Sequence, residues 1–324
     1  MSQPSRLRLS RLRSTLATPC LARRSAAALT LLLLGACSTP GADAPAASVD
    51  TTLAAQIETR IAEVPGARVA VAFLDPARSD SLFIGADTAF HAASTMKVPV
   101  LIELFRQHDR GNLDIDGGIV LRNEFRSIVD GSAYALPPGS DSDSTLYARV
   151  GERIPITELA ELMIIRSSNL ATNVLIEDLD PDTINATMAA LGAPGMRVLR
   201  GVEDQKAYDA GMNNTTTARA LATIMAAIES GRAGTPASTE IIRDILLRQE
   251  FNDEIPAGLP DGTRVAHKTG SITATLHDAA IVYPADREPY VLVILTGGIP
   301  DEATARRLMQ DVTRLVHAHA TTPR

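Results

Sequence analysis

Only three lysines stand among the 31 basic residues of this chain, at Lys97, Lys206 and Lys268, and every other basic position is arginine. Arginine keeps its proton across the pH range of proteins, whereas a buried lysine can lose its proton and act as a base. Each retained lysine therefore poses a chemical question. Lys97 follows Ser94 by three residues in Ser94-Thr95-Met96-Lys97, and Lys268 opens Lys268-Thr269-Gly270-Ser271. A serine hydroxyl is a poor nucleophile at neutral pH and needs a neighbouring base. A helix beginning at Ser94 places Lys97 on the same face, one turn on. Its free N–H groups and positive dipole end suit a developing oxyanion. The chemistry on offer is acyl transfer through serine.

Two further segments fit that chemistry. Ser167-Ser168-Asn169 follows Met163-Ile-Ile-Arg166 and precedes Leu-Ala-Thr-Asn173. Serine and asparagine are favoured helix N-caps, and a cap at a helix-helix junction also presents Ser167 to a cleft as a proton relay. Lys268-Thr269-Gly270 falls on an expected strand. There Gly270 lets a substrate backbone approach closely, and the N–H of Ser271 offers a second oxyanion donor. Each pattern is common by itself. Their order and the scarcity of lysine give them weight together.

The elements that must hold these residues follow from hydrophobic spacing. Thr51 to Glu63 reads as an amphipathic helix, Arg68 to Asp75 alternates like a strand, and Asp80 to Ala86 reads as its hairpin partner. Ser94 to Gln107 is helical, with Val98, Leu101, Ile102 and Phe105 facing a core. Helical spacing continues over Ile156–Ile165, Asn169–Leu179, Pro181–Leu191, Thr215–Glu229 and Ser238–Leu247, the fourth capped by Asn214 or Thr215. Strands return at Arg264–Ile272, Leu276–Tyr283 and Pro289–Thr296, and a helix over Pro300–His317 follows. This order predicts an α+β fold in which the first and last strands share one antiparallel sheet flanked by helices. An all-α lobe, about 106–250, is inserted between the sheet halves.

The N-terminal 37 residues carry six arginines and no acid, then an apolar run from Ala26 to Leu34, then Leu34-Gly35-Ala36-Cys37. That is the layout of an export signal, and the run falls short of the roughly 20 residues a membrane-spanning helix needs. The ending resembles a bacterial lipoprotein box, which implies lipidation at Cys37 and a periplasmic, membrane-anchored protein. Residues 38–50 read as a flexible tether and 51–320 as the catalytic domain. Removing the six arginines takes the net charge from −7 to −13, which argues against a nucleic-acid partner. Cys20 and Cys37 are the only cysteines, so the domain holds no disulfide, cysteine nucleophile or cysteine metal site. The six histidines form no His-Glu-x-x-His pattern, and no Gly-x-Ser-x-Gly elbow occurs. No metal and no cofactor is expected.

In this order and separation, Ser94-x-x-Lys97, Ser167-Ser168-Asn169 and Lys268-Thr269-Gly270 resemble the S-x-x-K, S-D-N and K-T-G signature of class A β-lactamases and related penicillin-recognising serine hydrolases. Phe90 to Val98 resembles the family's entry into its nucleophile helix. Asn214-Thr-Thr-Thr217 with Arg219-Ala-Leu resembles the segment after its omega loop, and Ala280–Pro284 and Tyr290–Gly297 resemble its last two strands. The resemblance spans roughly Thr51 to His317. It implies a three-layer fold with a five-stranded antiparallel sheet, and a monomer acting on a β-lactam or a peptidoglycan peptide.

It also implies roles. Ser94 would be acylated, with Lys97 as base or proton relay, and Ser167 would protonate the departing nitrogen. Asn169 would hold the substrate's side-chain amide, and Lys268 and Thr269 its carboxylate. The N–H groups of Ser94 and Ser271 would form the oxyanion hole. For deacylation the family uses an omega-loop glutamate within Glu-x-x-Leu-Asn. Here the stretch reads Arg200-Gly-Val-Glu203-Asp-Gln-Lys206-Ala, so Glu203 is the candidate, Asp204 competes, and Leu-Asn is absent. Ser168 also replaces the usual Asp. Three readings follow: a β-lactamase, a D-alanyl-D-alanine carboxypeptidase or other hydrolase of the same fold, and a noncatalytic penicillin-binding sensor.

Overall fold

The computed structural model describes residues 52–323. The expected export segment, the tether and Cys37 lie outside these residues. The chain runs α1 (Leu53–Ala62), β1 (Arg68–Asp75), β2 (Asp80–Ile84), β3 (Phe90–His91), a 3₁₀ turn (Ala93–Met96), and α2 (Lys97–Asp109). Next come β4 (Gly118–Val120), β5 (Phe125–Arg126), β6 (Ala133–Tyr134), β7 (Arg153–Pro155), α3 (Ile156–Ile165), α4 (Asn169–Leu179) and α5 (Pro181–Ala190). A long loop carrying α6 (Gln205–Asp209) leads to β8 (Thr215–Thr216), α7 (Ala218–Glu229) and α8 (Pro236–Leu247). The chain then returns through β9 (Arg264–Ile272), β10 (Thr275–Tyr283), β11 (Tyr290–Gly297) and α9 (Glu302–Thr321).

One five-stranded sheet, ordered β2-β1-β11-β10-β9, joins the early and late strands antiparallel throughout. Alternation along the strands separates two cores, because successive side chains point to opposite faces. Ala70, Ala72, Val293 and Leu295 pack toward the helices between β2 and β9, with α7 laid across β1, β10 and β11. Val71, Phe73, Leu292 and Ile294 pack against α1 and α9. The α+β, three-layer expectation is met. β9 is an edge strand, so its outer edge is free to border a cleft.

Several local expectations change. The inserted lobe is not all helix: β4 pairs with β7, and β5 with β6. The second pair turns through Asp130-Gly131, with Gly131 at φ +71°, a hairpin signal of known type. α7 starts three residues late, at Ala218, because Thr215–Thr216 pairs with Phe90–His91. Thr217 becomes its N-cap, its side chain accepting from Ala220 N. Asn214 is spent elsewhere: its Oδ1 accepts from Leu199 N at 2.7 Å and Arg200 N at 3.2 Å. α9 starts after Asp301, whose carboxylate caps Thr304 N.

Candidate active site

Ser94 lies in the 3₁₀ turn rather than in the α-helix that the turn enters. A 3₁₀ helix has three residues per turn, so Ser94 and Lys97 stack one above the other. The residue before Ser94, Ala93, adopts φ +46°, a costly conformation for a side-chain-bearing residue. It is held there by its N–H, which donates to His91 Nδ1 at 3.0 Å. His91 therefore presents Nδ1 as acceptor, and burial together with the nearby Arg200 lowers its pKa.

The three motifs meet at Ser167. Its Oγ lies 3.1 Å from Lys97 Nζ and 3.1 Å from Lys268 Nζ. Lys97 Nζ also donates to Ser167 O at 2.6 Å and Asn169 Oδ1 at 2.9 Å, and Lys268 Nζ to Thr269 O at 3.0 Å. Both lysines are fully buried, and water no longer solvates their charge. Burial, then the charge of Lys268, pushes Lys97 well below the ordinary lysine range; Asp141 and Glu203 partly oppose this. Burial brings Lys268 down to about 7, with Asp278 and Glu254 holding it up. Burial thus weakens the hold of both amines on their charge.

Above these buried groups opens a cleft of about 380 Å³ whose lining includes Ser94, Asn169, Glu203, Ser271, His91 and Tyr208. Ser94, Asn169, Glu203 and Ser271 thus share one cavity, with Lys97, Ser167 and Lys268 beneath it. Thr269 is 8 % exposed and is not among the residues that line the cleft. Gly270 has a different reason from the one its sequence suggests. A Cβ there would lie 3.0 Å from the backbone N of both Ser94 and Thr95. It admits the Ser94 turn against β9.

The two acids of the omega loop separate cleanly. Asp204 is buried; its Oδ1 accepts from Ser127 Oγ at 2.9 Å and Ala207 N at 3.1 Å, and its Oδ2 from Ile128 N at 2.9 Å. Asp204 caps α6 and ties the loop down, with three donors on its carboxylate. Glu203 is exposed to the cleft at φ +62°, and among the described residues its carboxylate accepts no hydrogen bond. Lys206 does not balance these acids. It pairs with Asp130 at 2.7 Å.

Residues without an assigned part in the sequence complete the site. Asp141 accepts from Asn169 N at 2.9 Å and Leu170 N at 2.9 Å, and Tyr147 OH donates to it at 3.0 Å. This carboxylate docks on the N-terminus of α4, where the helix dipole favours it. Ser168, standing where the resembled family has Asp, caps the same helix through Ala171 N. Asn173 grips the omega loop: its Oδ1 accepts from Val202 N at 2.6 Å and its Nδ2 donates to Val202 O at 3.0 Å. Asn173 lay in view beside the middle motif, but nothing local linked it to a loop 29 residues on.

A serine and a buried lysine at a helix start, with a second serine bridging that lysine to another on a sheet edge, define a serine hydrolase of the penicillin-recognising fold. The chain belongs to the Beta-lactamase enzyme family, whose model matches residues 52–320. It is 29% identical over 298 residues to Beta-lactamase AST-1 of Nocardia asteroides, covering 90% of this chain and 92% of that protein. Among solved structures it is similar to a mutant of PBP-A in an acyl-enzyme complex with penicillin G. The identity is 29% and the TM-score 0.71, covering 82% of this chain and 95% of that one. An ancestral class A β-lactamase is 27% identical with a TM-score of 0.71, covering 83% and 100%.

Proposed function

We propose that this protein opens β-lactam rings through an acyl-enzyme on Ser94 and hydrolyses that acyl-enzyme with water activated by Glu203, conferring β-lactam resistance. The observation that carries the reading is Glu203 lining the same cleft as Ser94, its carboxylate unclaimed while Asp204 is buried and holds three donors.

In acylation, the neutral Lys97 amine takes the proton of Ser94 Oγ as that oxygen bonds to the lactam carbonyl carbon. The N–H groups of Ser94 and Ser271 receive the oxyanion. When the C–N bond breaks, Ser167 Oγ gives its proton to the ring nitrogen and is resupplied by Lys97. The net transfer is one proton from Ser94 to nitrogen. Lys268 in its charged form, with Thr269, holds the substrate carboxylate, and Asn169 Nδ2 donates to its side-chain amide. In deacylation, water adds to the acyl carbonyl carbon and passes a proton to Glu203. The Ser94 Oγ–carbon bond then breaks, and that proton returns to Ser94.

Intact-protein mass spectrometry with benzylpenicillin tests this. Consumption of penicillin with at most a transient adduct is expected, no adduct with Ser94→Ala, and a persistent adduct with Glu203→Gln. A persistent adduct on the wild type favours the carboxypeptidase reading, which the missing Leu-Asn after Glu203 and the likeness to PBP-A support. The arginine-rich start and Leu34-Gly35-Ala36-Cys37 support export and lipid attachment at Cys37. Mass analysis of the mature N-terminus tests that part.

A further inference from the structure

Glu203 is exposed, sits in a left-handed backbone conformation, and has no hydrogen bond of its own among the described residues. Its position is set by its two neighbours. Val202 is held from one side by Asn173. From the other side, the β5–β6 hairpin reaches both neighbours. Tyr134 OH donates to Val202 O at 3.4 Å, while Ser127 Oγ and Ile128 N each donate to the Asp204 carboxylate at 2.9 Å. One turn further on, Lys206 Nζ bridges Asp130 Oδ2 and Ser132 Oγ, each at 2.7 Å. The hairpin is itself fixed, because Phe125 is buried in the main core and packs on Tyr134 at a ring distance of 5.8 Å.

We propose that the hairpin from Phe125 to Tyr134 is a positioning element for deacylation, holding Glu203 at the height of the acyl-enzyme's carbonyl. It does the work for which the omega loop here has no Leu-Asn. This rests on Glu203 as the water-activating group. It also gives the third lysine a purpose: Lys206 is the outer stitch of the clamp. Among the described residues no hydrogen bond joins the hairpin to Ser94, Lys97 or Ser167, so the two half-reactions should separate.

The test uses purified protein carrying Ser127→Ala with Tyr134→Phe, which removes two clamp contacts and keeps Asp204 and Phe125. Acylation by benzylpenicillin is expected to stay within about twofold of wild type. Deacylation is expected to fall on the order of 10- to 100-fold, as for a catalytic group misplaced by up to an ångström, so that adduct accumulates. Ser127→Thr, which retains the hydroxyl, should restore turnover in the Tyr134→Phe background. Lys206→Ala should have the weaker effect of an exposed pair. Equal loss of both half-reactions with a falling Tm, or no change in either, overturns the proposal. Glu203→Gln separates it from the underlying reading. If that variant traps adduct and the hairpin variant does not, only the clamp fails. If Glu203→Gln turns over normally, or if the wild type itself keeps its adduct, both fail.

Discussion

Gly270→Ala adds one methyl group at the most crowded point of the site. Gly270 has ordinary strand backbone, so the conflict is one of contact rather than of dihedral angle. The new Cβ would sit 3.0 Å from Ser94 N, 3.0 Å from Thr95 N and 3.2 Å from Ala93 Cβ. Non-bonded heavy atoms settle at about 3.5–4.0 Å, so strand and turn must part by about 0.5 Å. Neither side yields easily: β9 is laced to β10 along nine residue pairs, and Ala93 is already strained and tied to His91. Overpacking of this kind costs about 1–3 kcal/mol. At roughly 2–4 °C per kcal/mol for a domain near this size, Tm should fall by several degrees. The larger consequence is chemical. In the proposed mechanism the displaced Ser94 N–H is one of two oxyanion donors, and loss of such a donor costs on the order of 100- to 1,000-fold. A half-ångström retreat should therefore slow acylation on the order of 10- to 100-fold. Rapid-quench mass spectrometry with benzylpenicillin reads the acylation rate, and thermal unfolding reads the stability. Acylation at the wild-type rate, whatever the Tm, would refute the claim that Gly270 sets the oxyanion hole through the Ser94 turn.

Other expectations follow from the buried lysines and the helix they serve. The profile of kcat/KM against pH should fall on the acid side, where Lys97 gains a proton and ceases to be a base. Because burial and Lys268 depress its pKa, that limb lies far below the ordinary lysine range. On the alkaline side KM should rise as pH passes about 7, where Lys268 loses the charge that holds a carboxylate. Lys268→Arg should abolish that rise, since arginine stays charged; an unchanged alkaline limb would exclude Lys268 as its source. Asp141 raises Lys97, so Asp141→Asn should move the acid limb to lower pH. It should also destabilise the fold by about 1–2 kcal/mol through the weakened anchor of α4. Denaturant melts and pH–rate profiles of the same variant check both, and an acid limb that moves upward would contradict the assigned sign.

Much of the frame was legible in the chain itself. β9 runs Arg264–Ile272, α3 Ile156–Ile165 and α4 Asn169–Leu179, the bounds that alternation and helical spacing predict. These signals are local, because a period of 2 or 3.6 is written into neighbouring residues. The helix starts erred where side chains had competing uses. Asn214 resembled a cap but holds Leu199 and Arg200, and Thr215–Thr216 found a strand partner in Phe90–His91. The hairpin turn was also there to be read in Asp130-Gly131, although its role was not.

Lysine scarcity singled out Lys97 and Lys268 before any coordinates, because only lysine offers an amine that burial can neutralise. What burial does to them depends on neighbours brought from elsewhere: Ser167 lies 70 residues from Lys97 and 101 from Lys268. Glu203 and Asp204 show the same boundary most clearly. The resemblance favoured Glu203, but as adjacent acids the two still competed for one role in the sequence. Only the fold closes Ser127, 77 residues away, onto Asp204 and leaves the left-handed Glu203 free in the cleft. Residue type and spacing determined which chemistry was possible. Contacts across the fold decided which acid is left free, which amines lose their water and which glycine is crowded, because burial and hydrogen-bond competition are set by neighbours distant in the chain.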